Sequence, residues 1–183
     1  MSQPVRLLGD FSGLVVLLPE LDPLVAAWRS RFDAGAAEVS AHVSVLVPWI
    51  APAELTGSDL DALAQLVGNW SRFEVSFSRF DSFEVAGGPS VHWLVPEPDE
   101  PFRQLTDDLS TGWPEYPPYG GAHGPEPVPH LTVASAPIGQ DELVAMRAEI
   151  TARLPITTLA RELSVLEVLD GRCRTRASFA LTR

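Results

Sequence analysis

The sequence contains the segment Ala41-His42-Val43-Ser44-Val45 and, in its second half, the similar segment Pro129-His130-Leu131-Thr132-Val133. Both alternate apolar and polar side chains, which is typical of a strand with one face in the core. Since residues i and i+2 of a strand point to the same face, about 7 Å apart, each histidine should share a face with the hydroxyl residue that follows it. The opposite face of the first strand is predicted to carry Val43, Val45 and Val47.

The elements around the two segments repeat in the same order. An apolar run stopped by Pro-Glu comes first, at residues 14–20 and again at 91–97. A helical pattern follows each run, and a second one follows each histidine segment before the chain returns to strand at residues 73–77 and 163–167. The order β-α-β-α-β in both halves predicts an α+β fold, a two-lobed pseudo-twofold duplication within one domain over residues 1–183.

The boundaries of this duplication follow from the same patterns. We expect the first repeat at about residues 11–85 and the second at about 90–170, with a C-terminal strand over 172–181. A further strand is predicted from Arg79 to Val85. Asp170-Gly171 is a typical hairpin turn before the last strand.

Composition limits the class of protein. The hydrophobic fraction of 45% is that of a globular protein with a substantial core, and no apolar run is long enough to span a bilayer. The N-terminal residues do not resemble a signal peptide, and the single cysteine, Cys173, cannot form an internal disulfide. We therefore expect a soluble, cytoplasmic, monomeric protein that does not bind membranes.

The charge bears on the substrate. The net charge is −11, and the basic residues are all arginine. Because long nucleic acids are bound largely through a basic surface, we expect no long duplex as a partner and favour a small nucleotide or the phosphate at an RNA end. Arg172, Arg174 and Arg176 alternate along the last predicted strand, where they form either a basic rim or a solvated sheet face.

Two histidines and two hydroxyls around one cavity suit the cleavage of a phosphodiester. Attack on phosphorus needs a base for the nucleophile and an acid for the leaving oxygen, and histidine can serve as either near neutral pH. The hydroxyls of Ser44 and Thr132 can donate hydrogen bonds to the non-bridging oxygens, where charge accumulates. The four histidines lack the spacing of a metal site, so neither a metal nor another cofactor is expected.

The paired motifs resemble those of the two-histidine (2H) phosphoesterase superfamily, in particular the bacterial 2′-5′ RNA ligase and RNA 2′,3′-cyclic phosphodiesterase family. The resemblance covers nearly the whole chain and implies a LigT-like fold, with antiparallel sheets around a central cleft and helices outside. It implies that His42 and His130 are the acid–base pair, with His42 as proton donor to the leaving oxygen and His130 as base for water. It further implies that Ser44 and Thr132 hold the phosphate. Ala134-Ser135 stand where many RNA-processing members carry an arginine.

The Pro- and Gly-rich stretch over residues 112–129 leads directly into His130. Such long loops are often functional, so it is interpreted as an active-site flap, with a surface loop as the alternative. Tyr116 and Tyr119 are predicted to bind substrate by stacking on a base, although aromatic residues in such loops often only fix the loop to the core. His123 lies in this stretch, whereas His92 is expected to be exposed or to face polar groups, opposite Trp93.

The leading hypothesis is an enzyme, a metal-independent phosphodiesterase that hydrolyses a 2′,3′-cyclic phosphate or a similar small nucleotide ester. The alternative is a non-catalytic protein that binds a nucleotide or phosphate in the same cleft. A third possibility is a duplicated scaffold in which both histidines only satisfy hydrogen bonds inside the protein. The sequence does not identify the physiological substrate or establish ligase activity.

Overall fold

Strands and helices follow one another in a repeated order along the chain. The computed structural model describes residues 10–33, 38–84, 88–122, 124 and 127–182. The strands of this part are β1 (Phe11–Leu17), β2 (His42–Trp49), β3 (Phe73–Phe83), β4 (Val91–Glu97), β5 (Leu131–Ala134), β6 (Ile156–Ala160), β7 (Glu162–Leu169) and β8 (Arg172–Ala180). The α-helices are α1 (Asp22–Phe32), α2 (Gly57–Val67), α3 (Glu100–Gly112) and α4 (Gln140–Thr151), and 3₁₀ helices span Pro19–Leu21 and Pro118–Gly121.

The strands form two antiparallel sheets, with the orders β2-β1-β7-β8 and β5-β4-β3-β6. The predicted α+β class is therefore confirmed. Both sheets combine strands from the two histidine-bearing halves, because β3 pairs with β4 while β7 pairs with β1. The first sheet takes β1 and β2 from the first half, and the second sheet takes only β3 from it. The two sheets consequently do not coincide with the two halves of the sequence.

Burial of apolar faces explains where these elements form. The inner strands β1 and β4 have runs of five buried residues, as expected for strands covered on both faces. Helix α1 contributes Leu24, Val25, Trp28 and Phe32 to the main core. Thr56 is the N-cap of helix α2, and its side chain forms a capping box with Asp59.

The edge strands β2 and β5 bring the two sheets together. They lie next to each other although they belong to different sheets, and each is covered by a helix from the other half. Helix α1 packs against β5, and α3 packs against β2. Backbone hydrogen bonds fasten the first of these contacts, because the amides of Ser135 and Ala136 both donate to the carbonyl of Phe32 at 2.8 Å.

The two histidine strands pair with their neighbours in the same register. Ser44 lies opposite Val15 on β1, and Thr132 lies opposite Trp93 on β4. A bulge interrupts both pairings at the next residue, at Leu14 in the first sheet and at His92 in the second. Val15 and Trp93 are therefore equivalent in the structure. Aligning the two Pro-Glu sequences would instead pair Val15 with His92, one position earlier.

This bulge corrects one expectation about β2. Val43 and Val45 are buried in the core as predicted, but Leu46 continues the core in place of Val47. Val47 instead packs over Gly13, where an added Cβ would lie 2.7 Å from its Cγ2. The extra residue at the bulge shifts the alternation by one position, so the side chains beyond it change faces.

Two strands differ from the sequence-based prediction. The stretch predicted as two strands, residues 73–77 and 79–85, is one strand β3 to Phe83 that continues through a bulge at Ser78, and Val85 lies outside the described residues. Strand β6, Ile156–Ala160, was not predicted and pairs with β3. The hairpin turn at Asp170-Gly171 is confirmed, since both residues have positive φ (50° and 74°), as a type I′ turn requires.

Candidate active site

The two histidines are held by the same local hydrogen bond. Nδ1 of His42 lies 2.9 Å from the carbonyl oxygen of Ser40, and Nδ1 of His130 lies 2.8 Å from that of Val128. Because a carbonyl can only accept, each Nδ1 carries the proton, and each neutral ring presents Nε2 as its acceptor. The tautomer that acid–base chemistry at Nε2 needs is thus set by the backbone two residues upstream of each histidine.

The charges of the two histidines act on each other. Burial is the main reason why the pKa of His42 is lowered to about 4, and the positive charges of Arg29 and His130 lower it further. The hydrogen bond to Ser40 and the charge of Asp22 act in the opposite direction. His42 and His130 therefore lie in one electrostatic environment, and His42 is neutral near pH 7.

Tyr119 links the two motifs. Its hydroxyl is hydrogen-bonded to Ser44, and its ring stacks on His130 with the centroids 6.4 Å apart. Burial raises the pKa of Tyr119 to about 12, so its hydroxyl is protonated. The backbone of Tyr119 has a φ of 52°, a left-handed conformation that a bulky residue adopts only at some cost. The local fold thus holds this side chain between the motifs against its backbone preference.

Two further aromatic residues, which the sequence did not identify, surround His130. Phe83 and Trp93 contact its imidazole edge to face, with centroids 5.2 and 5.8 Å away, and stack on each other at 4.6 Å. Trp93 is buried, and its indole Nε1 has no hydrogen-bond partner within the described part of the chain. Strand alternation placed Trp93 opposite His92, but only the pairing with Thr132 shows that it faces the site.

A buried ion pair on α1 also adjoins the site and was missed. Nε of Arg29 lies 3.8 Å from Oδ2 of Asp33, and Oδ1 of Asp33 accepts a hydrogen bond from the hydroxyl of Ser135 at 2.8 Å. Arg29 is 3% exposed. The sequence held a signal for it, since Arg29 occupies the helical position that follows Leu21 and Val25 on the apolar face.

The other residues of the predicted flap are placed differently. Trp113 is buried and packs edge to face on Trp49 at 5.3 Å, so it fixes the start of the segment to the core. Tyr116 packs against the same core, and burial, followed by the charges of Glu115, Glu54 and Asp59, raises its pKa. The surroundings of Tyr116 therefore differ from those of Tyr119. His123 lies outside the described residues.

Of the two placements predicted for His92, exposed or facing polar groups, the structure shows the second. His92 is 4% exposed, stacks on Phe80 at 6.1 Å, and its Nδ1 lies 2.7 Å from the hydroxyl of Ser82. It faces away from Trp93, as strand alternation required, but α4 covers that face of the sheet and contributes Arg147 over the ring of Phe80. The stacked ring of Phe80 on β3 and the cover by α4 account for the burial of His92.

The arginines of β8 face a carboxylate. Nη2 of Arg174 lies 2.9 Å from Oε2 of Glu167, and Nη1 of Arg176 lies 3.6 Å from Oε1. Glu167 is 1% exposed, so both guanidinium groups balance a buried charge. This arrangement favours a structural role for these two residues over a basic rim.

Within the described ranges, no three His, Cys, Asp or Glu side chains are grouped closely enough to hold a metal ion. In the same ranges, every helix is too short or too polar to cross a bilayer.

Comparison with known proteins identifies the family. The profile of the 2′-5′ RNA ligase superfamily matches residues 17–172. The chain belongs to this superfamily. No curated protein sequence matches the chain. Membership of the 2′-5′ RNA ligase superfamily supports an enzyme of the phosphoesterase or ligase type.

Solved structures with the same fold are distant in sequence. E. coli LigT, solved in complex with NADP+, is 19% identical with a TM-score of 0.57, and the match covers 96% of this chain and 99% of LigT. LigT in complex with 3′-AMP is 18% identical with a TM-score of 0.54, over 95% and 99% of the two chains. A Thermus thermophilus protein, TT0787, is 18% identical with a TM-score of 0.59, over 93% and 97%. The LigT-like fold expected for a 2′-5′ RNA ligase superfamily member is therefore confirmed.

Proposed function

We propose that this protein is a metal-independent phosphodiesterase that hydrolyses a 2′,3′-cyclic phosphate or a similar small nucleotide ester. His42 and His130 transfer the protons, and the hydroxyls of Ser44 and Thr132 hold the phosphate. The observation that carries the proposal is the equivalent fixing of the two histidines, each through Nδ1 to a carbonyl two residues upstream, on adjoining strands.

The chemistry needs two imidazoles in different protonation states. As water attacks phosphorus, the neutral imidazole accepts a proton from it, and the protonated imidazole gives a proton to the oxygen whose bond to phosphorus breaks. Water is consumed, and the ring opens to a monoester. The low pKa of His42, about 4, supports a pair in which the two rings differ.

The substrate class rests on charge, on the comparisons and on the aromatic surroundings of His130. LigT has been solved with NADP+ and with 3′-AMP, both small nucleotides. The net charge of −11 disfavours an extended polyanion. Phe83, Trp93 and Tyr119 add flat apolar surface beside His130, which is suited to the planar groups of a nucleoside.

Turnover of the four 2′,3′-cyclic mononucleotides tests the proposal. We expect His42→Ala and His130→Ala each to lower kcat/KM by at least about two orders of magnitude, as for the loss of a general acid or base. His92→Gln is the matched control and should retain activity. It changes a buried histidine on β4 that faces away from Trp93 and the site. Full activity in the folded double variant, His42→Ala with His130→Ala, would refute the mechanism.

One observation favours the non-catalytic alternative, a nucleotide- or phosphate-binding protein. Tyr119 is hydrogen-bonded to Ser44 and stacked on His130, so one side chain already uses a group from each motif. A rise in the melting temperature with a nucleotide 3′- or 2′-monophosphate, and no turnover of any cyclic phosphate, would support this second function.

A further inference from the structure

The hydroxyl residues of the two motifs are equivalent in position but differ in how freely their side chains rotate. Ser44 lies opposite Val15 on β1, and Thr132 lies opposite Trp93 on β4. Threonine is β-branched, so its χ1 rotamers are restricted, whereas a serine hydroxyl has three staggered positions open to it. Ser44 therefore needs a further contact if its hydroxyl is to keep one direction.

Tyr119 provides such a contact from the other half of the chain. It lies in the 3₁₀ helix Pro118–Gly121, which packs against β2. Its hydroxyl is hydrogen-bonded to Ser44, and its ring stacks on His130 with the centroids 6.4 Å apart. The phenol ring and its oxygen are thus both held at the two motifs.

The backbone around Tyr119 is bent so that the side chain reaches this place. Tyr119 has φ 52° and ψ 31°, and Gly120 has φ 60° and ψ 23°. Glycine adopts this left-handed conformation freely, but a residue with a Cβ does so only at a cost. The amide of Gly120 donates to the carbonyl of Pro117 at 2.9 Å, and Pro118 is buried, so the surroundings hold the bend. A strained residue that is held in this way at a candidate site points to a functional role.

The direction of the hydrogen bond between Tyr119 and Ser44 follows from the protons available. A serine hydroxyl has one proton to donate and two lone pairs that accept. A charged phosphate oxygen only accepts, so Ser44 has to give its proton to the phosphate. Ser44 can then keep its hydrogen bond to Tyr119 only as the acceptor. Burial raises the pKa of Tyr119 to about 12, so the phenol retains the proton that this arrangement needs.

We propose that Tyr119 is a positioning residue that directs the hydroxyl of Ser44 at the phosphate of the substrate. The phenol donates to Oγ of Ser44, and Ser44 donates to a non-bridging phosphate oxygen. This inference rests on the proposed function. Hydrogen bonds in such a chain polarise one another, so the bond to the phosphate strengthens as charge accumulates on that oxygen. Tyr119 therefore acts on the reaction through Ser44, and no covalent bond of Tyr119 changes.

Removal of the phenolic oxygen tests this role. Tyr119→Phe keeps the ring beside His130 and should lower kcat by about three- to tenfold, as for the loss of one hydrogen bond. KM should change little, because the directed bond is stronger in the transition state than in the bound substrate. A lower KM with an unchanged kcat would show that the phenol competes with the phosphate for Ser44, and would overturn the proposal.

A double-mutant cycle shows whether the phenol acts through Ser44. In the Ser44→Ala protein, Tyr119→Phe should change kcat by less than about twofold, because the group to be directed is absent. Tyr116→Phe is the matched control, since it removes the same oxygen from the same segment, where Tyr116 packs near Glu54 and Asp59. Its effect should be equal in the two backgrounds. An equal effect of Tyr119→Phe in both backgrounds would show a structural contribution alone and contradict the proposal.

Binding separates this inference from the proposed function. Adenosine 3′-monophosphate can be titrated into the same proteins by calorimetry, without turnover. Because a phosphate monoester carries more negative charge than a cyclic diester, Tyr119→Phe should raise its Kd by about threefold or more where Ser44 is present. In the Ser44→Ala protein the same change should leave the Kd within about twofold.

The two tests can fail independently. If the wild type turns over no 2′,3′-cyclic mononucleotide while the Kd values behave as stated, the proposed hydrolysis fails and the positioning role of Tyr119 stands. If the enzyme is active but Tyr119→Phe raises the Kd equally with and without the Ser44 hydroxyl, the positioning role fails and the proposed function stands.

Discussion

The ring of Tyr119 stacks on the imidazole of His130, with an angle of 22° between the planes, while its hydroxyl is hydrogen-bonded to Ser44. One side chain from the segment between α3 and β5 therefore contacts a residue of each motif. A substrate that contacts both Ser44 and His130 has to fit beside the Tyr119 side chain or displace it. The binding of ligands should accordingly depend on this residue more than on its neighbours in the segment.

We predict that Tyr119→Ala raises KM by about tenfold with a smaller effect on kcat, since the loss of stacking on a base is worth roughly 1–3 kcal/mol. Tyr116→Ala, in the same segment, should have a smaller effect because Tyr116 packs near Glu54 and Asp59. Steady-state kinetics with a cyclic mononucleotide measures both variants. Equal effects of the two substitutions would show that the segment acts as a whole and would contradict the special position of Tyr119.

The hydroxyls of the two motifs should matter less than the histidines. We predict that Ser44→Ala and Thr132→Val each lower kcat/KM by about 10- to 100-fold, since a hydrogen bond to a charged group contributes roughly 1.5–3 kcal/mol. Thr157→Val is the control, because its hydroxyl lies 3.3 Å from that of Ser76 on the strand pair β3–β6. A loss in the hydroxyl variants as large as that in the histidine variants would assign them a role beyond holding the phosphate.

Protein stability should depend on pH through His42. Its pKa is 6.5 unperturbed and about 4 in the folded protein, so between these values the unfolded chain binds more protons than the folded one. The stability is therefore fully present above pH 6.5 and is lost as the pH falls through 4. We expect the free energy of unfolding to fall by about 3 kcal/mol more in the wild type than in His42→Gln between pH 7 and pH 4.

Urea denaturation at a series of pH values measures this difference. The comparison with His42→Gln removes the contributions of the carboxylates, which titrate in both proteins. Parallel curves for the two proteins would mean that His42 is accessible to protons in the folded state. The low pKa, and the neutral state that it implies for catalysis, would then be wrong.

Metal removal should have no effect on turnover. We predict that prolonged treatment with EDTA, followed by exchange into buffer freed of metal, leaves kcat and KM unchanged, because the proposed mechanism moves protons between imidazoles and water only. Readdition of Mg²⁺, Mn²⁺ or Zn²⁺ to the treated protein serves as the control. Activity that depends on any of these ions would replace the two-histidine mechanism with metal-assisted hydrolysis.

The α+β class and most strands could be predicted because they depend on local patterns, whereas the LigT-like fold was implied by the resemblance of the paired motifs to a known family. Alternation around His42 and His130, and the hairpin residues Asp170-Gly171, are visible within a few positions of the sequence. Strand β6 was missed because its five residues alternate weakly and follow a helical pattern directly. The change of face at Val47 was missed because it follows from a bulge. A bulge depends on the facing strand, which a single segment does not reveal.

The surroundings of the site were harder to predict than the motifs. The groups around the two histidines lie far from both motifs in sequence or across a sheet. They come near His42 and His130 only through tertiary packing, and they are Phe83, Trp93, Arg29 and Asp33. A charged residue on an apolar helix face was the one local sign of the pair on α1. The sequence therefore indicated the candidate residues of the two motifs but not the groups that surround them.

The exchange of β3 and β7 between the sheets has a consequence for the order in which the two sheets can form during synthesis. Strand β1 needs β7 as its central neighbour, and Phe11 lies opposite Val168. During synthesis, β1 and β2 emerge long before that partner, whereas β3 and β4 can pair at once as a local hairpin. A nascent chain that stops after Ala160 already contains both histidines and the complete second sheet, but not the first sheet. We therefore expect its N-terminal strands to engage a chaperone until the last hairpin has left the ribosome.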